Sequence, residues 1–104
     1  MDFELIKCMD APSYLNRRDT FFADLRAQDQ YMEYHLPGAH SCPYERMSEW
    51  ESRLPRAKKI IFYCEHGNLS LMAAKRLARQ GYQAAAVIGG VECFKIKNSI
   101  DSAK

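Results

Sequence analysis

Short apolar runs along this chain alternate with stretches in which apolar residues recur every three or four positions. "KKIIFYC" (Lys58 to Cys64) is the clearest run. Its unbroken apolar stretch is typical of a strand covered on both faces of a parallel sheet. "FELIK" (Phe3 to Lys7), "TFFADL" (Thr20 to Leu25) and "QAAAVI" (Gln83 to Ile88) read as further strands, and "GAHSC" (Gly38 to Cys42) as a short one. "SLMAAKRLARQG" (Ser70 to Gly81) reads as the principal helix, with Leu71, Ala74, Leu77 and Ala78 as its apolar stripe. Ser70 is placed as its N-cap, and Gly81 sits where a C-terminal glycine belongs. Asp10 is expected to cap a helix through about Arg17, with Pro12 in its first turn. Asp29 to Tyr34 reads as a brief helix that must stop near Leu36, because Pro37 disfavours helix in the residue before it. Tyr44 to Leu54 reads as a helix with Met47, Trp50 and Leu54 on one side, closed by Pro55; a last helix is expected near Val91.

Strand alternating with helix predicts an α/β fold: about five mostly parallel strands with helices on both faces. With 104 residues the chain is read as one domain, residues 1–104. In such sheets ligands sit at the carboxyl ends of the strands, which turns attention to the loop that follows Cys64.

Charge changes this picture little. Lys plus Arg is 15 against 13 for Asp plus Glu, a formal +2, and gives no case for a nucleic-acid or membrane-surface partner. The acidic start "MDFELIKCMD" lacks the basic and apolar regions of a secretory signal. No apolar run approaches a membrane span. The expected location is cytoplasmic. Of the four cysteines, Cys8, Cys42, Cys64 and Cys93, none form C-x-x-C or a zinc spacing. Disulfides are not expected in that compartment, so the reading is three quiet thiols and one reactive one.

The loop "CEHGNLS" (Cys64 to Ser70) carries the chemistry. Gly67 permits turns that other residues resist, and Asn68 tolerates unusual dihedrals. A helix start follows, and its first amides lack internal partners. Such a loop can aim several N–H groups at one point and make a nest for an anion. A nest of this kind favours the thiolate form of a sulfur placed at its start. Glu65 is the awkward neighbour, because an inward carboxylate would repel anions; it is expected to point outward. The plainer alternative, a buried small residue at a strand end, stays open for Cys64.

These residues resemble a single-domain rhodanese, the sulfurtransferase family, from about residue 20 to residue 94. "ADLRAQDQYMEYHLPGAHSCPY" is similar to the family's Asp-x-Arg and Gly-His-Ile-Pro-Gly-Ala segments; "IIFYCEHGNLS" to its strand and active-site loop; "AAKRLARQGY" to the next helix; and "VIGGVECF" to the closing Gly-Gly turn. The resemblance implies a two-step transfer. Cys64 takes the outer sulfur of thiosulfate or a persulfide donor, then passes it to cyanide, a thiol or a small thiol protein. It also implies that Glu65, His66, Gly67, Asn68, Leu69 and Ser70 form the substrate-binding loop, with no metal and no organic cofactor. The chain departs from the family pattern at Leu69, where arginine is common, at Tyr34, Gln30 and Phe94. Charge pairing with a sulfonate would then fall to Arg26 or Lys75.

Other candidates have two readings each. Asp24 and Arg26 either steer an anion or brace a loop by hydrogen bonds. His35 and His40 either act as acid or base or fix a turn, and His66 either assists the thiol or is an exposed loop residue. Lys75, Arg76 and Arg79 form a solvated face or a patch for an acidic partner protein. Cys42 is a packed thiol or a resolving one. Two alternatives to sulfur transfer remain: a non-catalytic interaction or redox-sensing module, and a cysteine phosphatase or arsenate reductase. The latter needs a loop one residue longer closed by arginine, and Ser70 stands there.

Overall fold

The computed structural model describes residues 3–15 and 17–90. Five strands form one sheet: β1 (Glu4–Lys7), β2 (Thr20–Asp24), β3 (His40–Ser41), β4 (Lys59–Tyr63) and β5 (Gln83–Ile88). Their order is β1-β5-β4-β2-β3, and every neighbouring pair is parallel. The α/β expectation therefore holds, with each strand within a residue or two of its place in the sequence pattern.

The two-residue alternation of a strand splits β4 between two cores. Ile60, Phe62 and then Cys64 face one side, with Ala84 and Ala86 of β5 and with Ala73, Ala74 and Leu77 of helix α3 (Asn68–Arg79). Ile61 and Tyr63 face the other, with Ile6, Phe22, Leu36 and Ala85. Helix α1 (Gln28–Glu33) follows β2, and α2 (Met47–Trp50) follows β3. Among the described residues no helix is long and apolar enough to cross a membrane.

Helix α3 starts earlier than its serine suggests. Gly67, at φ +95°, is the N-cap, and Ser70 lies in the first turn. The left-handed conformation open to glycine thus outranks the capping preference of serine. Moving the start changes the buried stripe to Ser70, Ala73, Ala74 and Leu77, whereas Leu71 is exposed. These small residues meet Ala84 and Ala86, small against small. The other end is as expected. Gly81 takes φ +92°; its N–H donates to the Ala78 carbonyl, and the Tyr82 N–H donates to that of Leu77. That is a Schellman closure.

Two other helices are shorter than their patterns predict. Cys8–Tyr14 is a 3₁₀ helix with Asp10 and Pro12 inside it, so Asp10 is not its cap. Residues 44–54 break into 3₁₀ turns (Tyr44–Arg46 and Glu51–Arg53) on either side of α2. Met47 and Leu54 are nonetheless buried, and the half-buried Trp50 packs on Phe62 while its indole N–H donates to the Pro43 carbonyl at 2.9 Å. The helix expected near Val91 lies outside the described residues.

Tyr63 ties the sheet to the segment after α1. Its hydroxyl accepts the Leu36 N–H at 3.1 Å, and Asp24 is its neighbour in register on β2. Burial, followed by the charge of Asp24, raises the phenol's pKa. Tyr63→Phe keeps the ring and orphans a buried N–H. It is expected to lower stability by about 1–3 kcal/mol in urea unfolding without changing the slope; an unchanged midpoint would show that the bond contributes nothing.

Candidate functional site

The loops after β2, β3 and β4 meet at the carboxyl edge of the sheet and enclose a cavity of about 370 Å³. This is where open parallel sheets bind ligands, and the volume suits a small molecule. Cys64, Glu65, His66, Asn68 and Leu69 line it from the β4 loop, and Arg26 from the β2 loop. Cys64 is buried, and its Sγ accepts the Gly67 N–H at 3.1 Å. A main-chain donor at the start of α3 is therefore aimed at the sulfur.

Gly67 and Ser70 do not line the cavity; they hold its loop. A Cβ on Gly67 would stand 3.4 Å from the Gly89 nitrogen. The buried Ser70 hydroxyl lies 2.8 Å from the Gly67 carbonyl and 3.4 Å from that of Val87, linking the turn to the end of β5. Gly90 presses from beneath: its Cβ, if present, would lie 2.7 Å from the Cys64 carbonyl oxygen and would overlap Glu65.

Arg26 is buried with its carboxylate partner. Its backbone N–H, Nε and Nη2 donate to Asp24 at 3.0, 3.1 and 2.9 Å, and Nη2 also donates to the Tyr34 carbonyl. Burial works against the guanidinium's charge, but the bonds and charge of Asp24 prevail and its pKa is raised. This is the bracing geometry foreseen for the Asp–Arg pair. Arg26 nevertheless reaches the cavity, and there it meets Glu65: Nη1 lies 3.8 Å from a buried Oε1. The expectation that Glu65 points outward is thus corrected. Its carboxylate turns in because the one guanidinium on this wall lies there.

The sequence reading missed part of the wall. Pro43, Tyr44 and Glu45 line the cavity opposite the loop, with Gln30 from α1. Since β2 and β3 are adjacent and parallel, the segment after β3 had to emerge at this edge. Tyr44 donates its N–H to the Leu25 carbonyl at 3.0 Å. Lys75 and Arg76 do not reach the cavity, and Arg76 is paired with Glu51 at 2.9 Å. His40 stacks on Phe21, and His35 stacks on Tyr31 with Nδ1 at 2.8 Å from its carbonyl oxygen. Among the described residues no group of three or more His, Cys, Asp and Glu is arranged to hold a metal ion.

The cysteines differ from one another. Cys42 is free and buried, and burial together with the charge of Asp24 pushes its thiol up to about 12. It is a packed thiol, not a ready resolving one. Cys8 is disulfide-bonded, which corrects the expectation of quiet free thiols. Spacing could not reveal this. Lys7 pairs with Ile88, so the chain leaving β5 runs past Cys8; a Cβ on Gly89 would lie 3.8 Å from that of Cys8. Cys93 lies outside the described residues.

Two expectations follow. Gly90→Ala should push the turn at Cys64 and Glu65 aside and cost about 1–3 kcal/mol through overpacking; a melt equal to that of wild type would show that the turn is slack. The Cys42 thiol stays protonated in the fold but ionises in the unfolded chain above the ordinary 9.0. Unfolding therefore releases a proton between pH 9 and 12, and stability falls as pH rises through that window. Cys42→Ala should flatten that decline in denaturant titrations, and an equally steep fall in the variant would refute the assignment.

Residues 5–97 match the rhodanese-like domain family. A Coxiella burnetii protein named thiosulfate sulfurtransferase GlpE is 31% identical over 96 residues, covering 91% of this chain and 90% of its own length. The GlpE of Pseudoalteromonas translucida is 28% identical over 80% of this chain and 79% of its own. Among solved structures, a rhodanese-related protein from Thermoplasma volcanium superposes with TM-score 0.81 at 24% identity, over 91% of this chain and 93% of that one. At that identity the likeness concerns the fold. With a sequence match over most of its length and the same sheet beneath it, the chain belongs to the rhodanese-like domain family.

Proposed function

We propose that this protein is a sulfurtransferase that carries a sulfane sulfur on Cys64. The observation behind this reading is the sulfur's setting: Cys64 lines a cavity at the carboxyl edge of the sheet, with the Gly67 N–H donated to Sγ. Fixed main-chain dipoles favour a sulfur anion without reorganising during the reaction. The relationship to proteins named thiosulfate sulfurtransferase supports the same chemistry.

In the first step the Cys64 thiolate attacks the terminal sulfur of thiosulfate or of a persulfide donor. A bond forms between Sγ and that sulfur. The donor's S–S bond breaks, and its electron pair leaves on sulfite or on the donor thiolate. In the second step a thiol, a small thiol protein or cyanide attacks the outer sulfur and restores the thiolate. Each step is a displacement at sulfur, so the route is covalent and ping-pong. Asn68, Leu69 and His66 form the wall that shapes access, Gly67 supplies the donor to sulfur, and Ser70 holds the turn. Arg26 fixes the opposite wall.

The competing readings lack a comparable observation. A phosphatase or arsenate reductase needs a guanidinium closing the loop around three oxygens, and Ser70 at that position is buried against Gly67 and Val87. A purely interacting module would have no use for an N–H aimed at a thiol inside a cavity.

Incubating the purified protein with excess sulfane-sulfur donor and measuring its intact mass tests the proposal. A gain of about 32 Da, one sulfur, is expected in wild type, absent in Cys64→Ser and reversed by cyanide. Wild type that takes up no sulfur, or a variant that still does, would sink the reading.

A further inference from the structure

The cavity beside Cys64 is short of positive charge. Arg26 is the one Lys or Arg among the residues lining it, and its guanidinium is already divided between Asp24 at 2.9 Å and Glu65 at 3.8 Å. Glu45 lines the cavity as well. One guanidinium thus stands against Asp24 and Glu65 while Glu45 adds a second carboxylate to the lining, with His66 the remaining basic side chain on the wall. The Arg26 side chain is only 2% exposed, so it cannot swing out to meet an incoming anion without leaving a buried Asp24 carboxylate unpaired.

Resting on the sulfur-transfer reading above, we propose that Glu65 is a specificity-determining residue that makes this site select sulfane-sulfur donors of low net negative charge over the thiosulfate dianion. The donor must bring its terminal sulfur to Sγ, beside a carboxylate next in sequence whose Oε1 is buried. In a cavity of reduced dielectric, each added negative charge on the donor pays a Coulomb cost there. The main-chain donor at Sγ is insensitive to the rest of the donor molecule, whereas Glu65 senses its overall charge. The physiological donor is accordingly a carrier whose sulfur arrives with a neutral or cationic neighbourhood, such as a thiosulfonate or persulfide bearing an amine.

Three donors of one reaction type separate the effect: thiosulfate with two negative charges, methanethiosulfonate with one, and 2-aminoethanethiosulfonate with none net. In each case the Cys64 thiolate takes the terminal sulfur, and the S–S bond of the donor breaks with its electron pair leaving on sulfite or the sulfinate. No other oxidant or reductant enters. Rates of persulfide formation are read by quenched intact mass and divided by the rate of free cysteine with the same donor. In wild type the normalised rate should rise about tenfold for each negative charge removed. Glu65→Gln, close to isosteric, should compress that series to within about threefold, chiefly by speeding thiosulfate. Added salt should raise the wild-type rate with thiosulfate and leave the zwitterion's unchanged, a readout independent of any variant's fold. Equal normalised rates across the three donors in wild type, or a series unaltered in a folded Glu65→Gln, would overturn the charge filter and leave sulfur transfer standing. Loading by none of the three would overturn sulfur transfer itself, and the filter with it.

Discussion

Main chain pressed against main chain fixes this site. Gly90, at the end of β5, lies so close under the carbonyls of Cys64 and Glu65 that no side chain fits between them. Gly67 turns at φ +95° a few residues on, with Gly89 behind it. The chain leaving β4 is held from below by one glycine pair and bent by a third glycine. It enters α3 with the Gly67 N–H returned to the Cys64 sulfur. The N–H aimed at the sulfur is thus a by-product of close packing between two parallel strands and the helix that joins them.

A second constraint is electrostatic and lies on the opposite wall. Asp24 is fully buried between Tyr63 and Arg26, and burying a carboxylate is tolerable only when its acceptor sites are filled. The Arg26 guanidinium and backbone N–H fill them, and Tyr63 stands beside Asp24 in register. The same groups reach Leu36 and Tyr34, so the segment leaving α1 is anchored to the sheet through this network. Arg26 therefore serves the fold first. What it offers the cavity is the Nη1 face left over, and Glu65 takes up that face.

The legible and illegible parts of the sequence divide along these lines. The strands were legible because a sheet covered on both sides demands apolar runs such as Ile60 to Cys64, and local chemistry alone dictates the Gly81 closure of α3. The place of Cys64 on a cavity at the carboxyl edge of the sheet was legible because its loop follows the clearest strand. The start of α3 was not, since Ser70 carries a strong local preference that Gly67 overrides only once Gly89 is behind it. The disulfide at Cys8 and the wall at Pro43 to Glu45 depend on strand order, which periodicity does not encode. The inward turn of Glu65 depends on a guanidinium 39 positions earlier in the chain (65 minus 26).

In the sulfur transfer proposed above, holding the reacting sulfur and recognising its donor are separable tasks. Main-chain N–H groups carry partial charge, act at short range and address only the atom they touch. A side-chain cation acts over the whole cavity and attracts any anion that enters. A loop with arginine at the Leu69 position would perform both tasks with one charge. This loop retains the first device in the Gly67 N–H, and its second-wall cation is spent on Asp24 and Glu65. On that proposal, chemistry at Cys64 would be preserved while the choice of donor changes, because the groups assigned to the two tasks answer to different physical forces: a main-chain N–H addresses the atom it touches, and side-chain charge acts across the cavity.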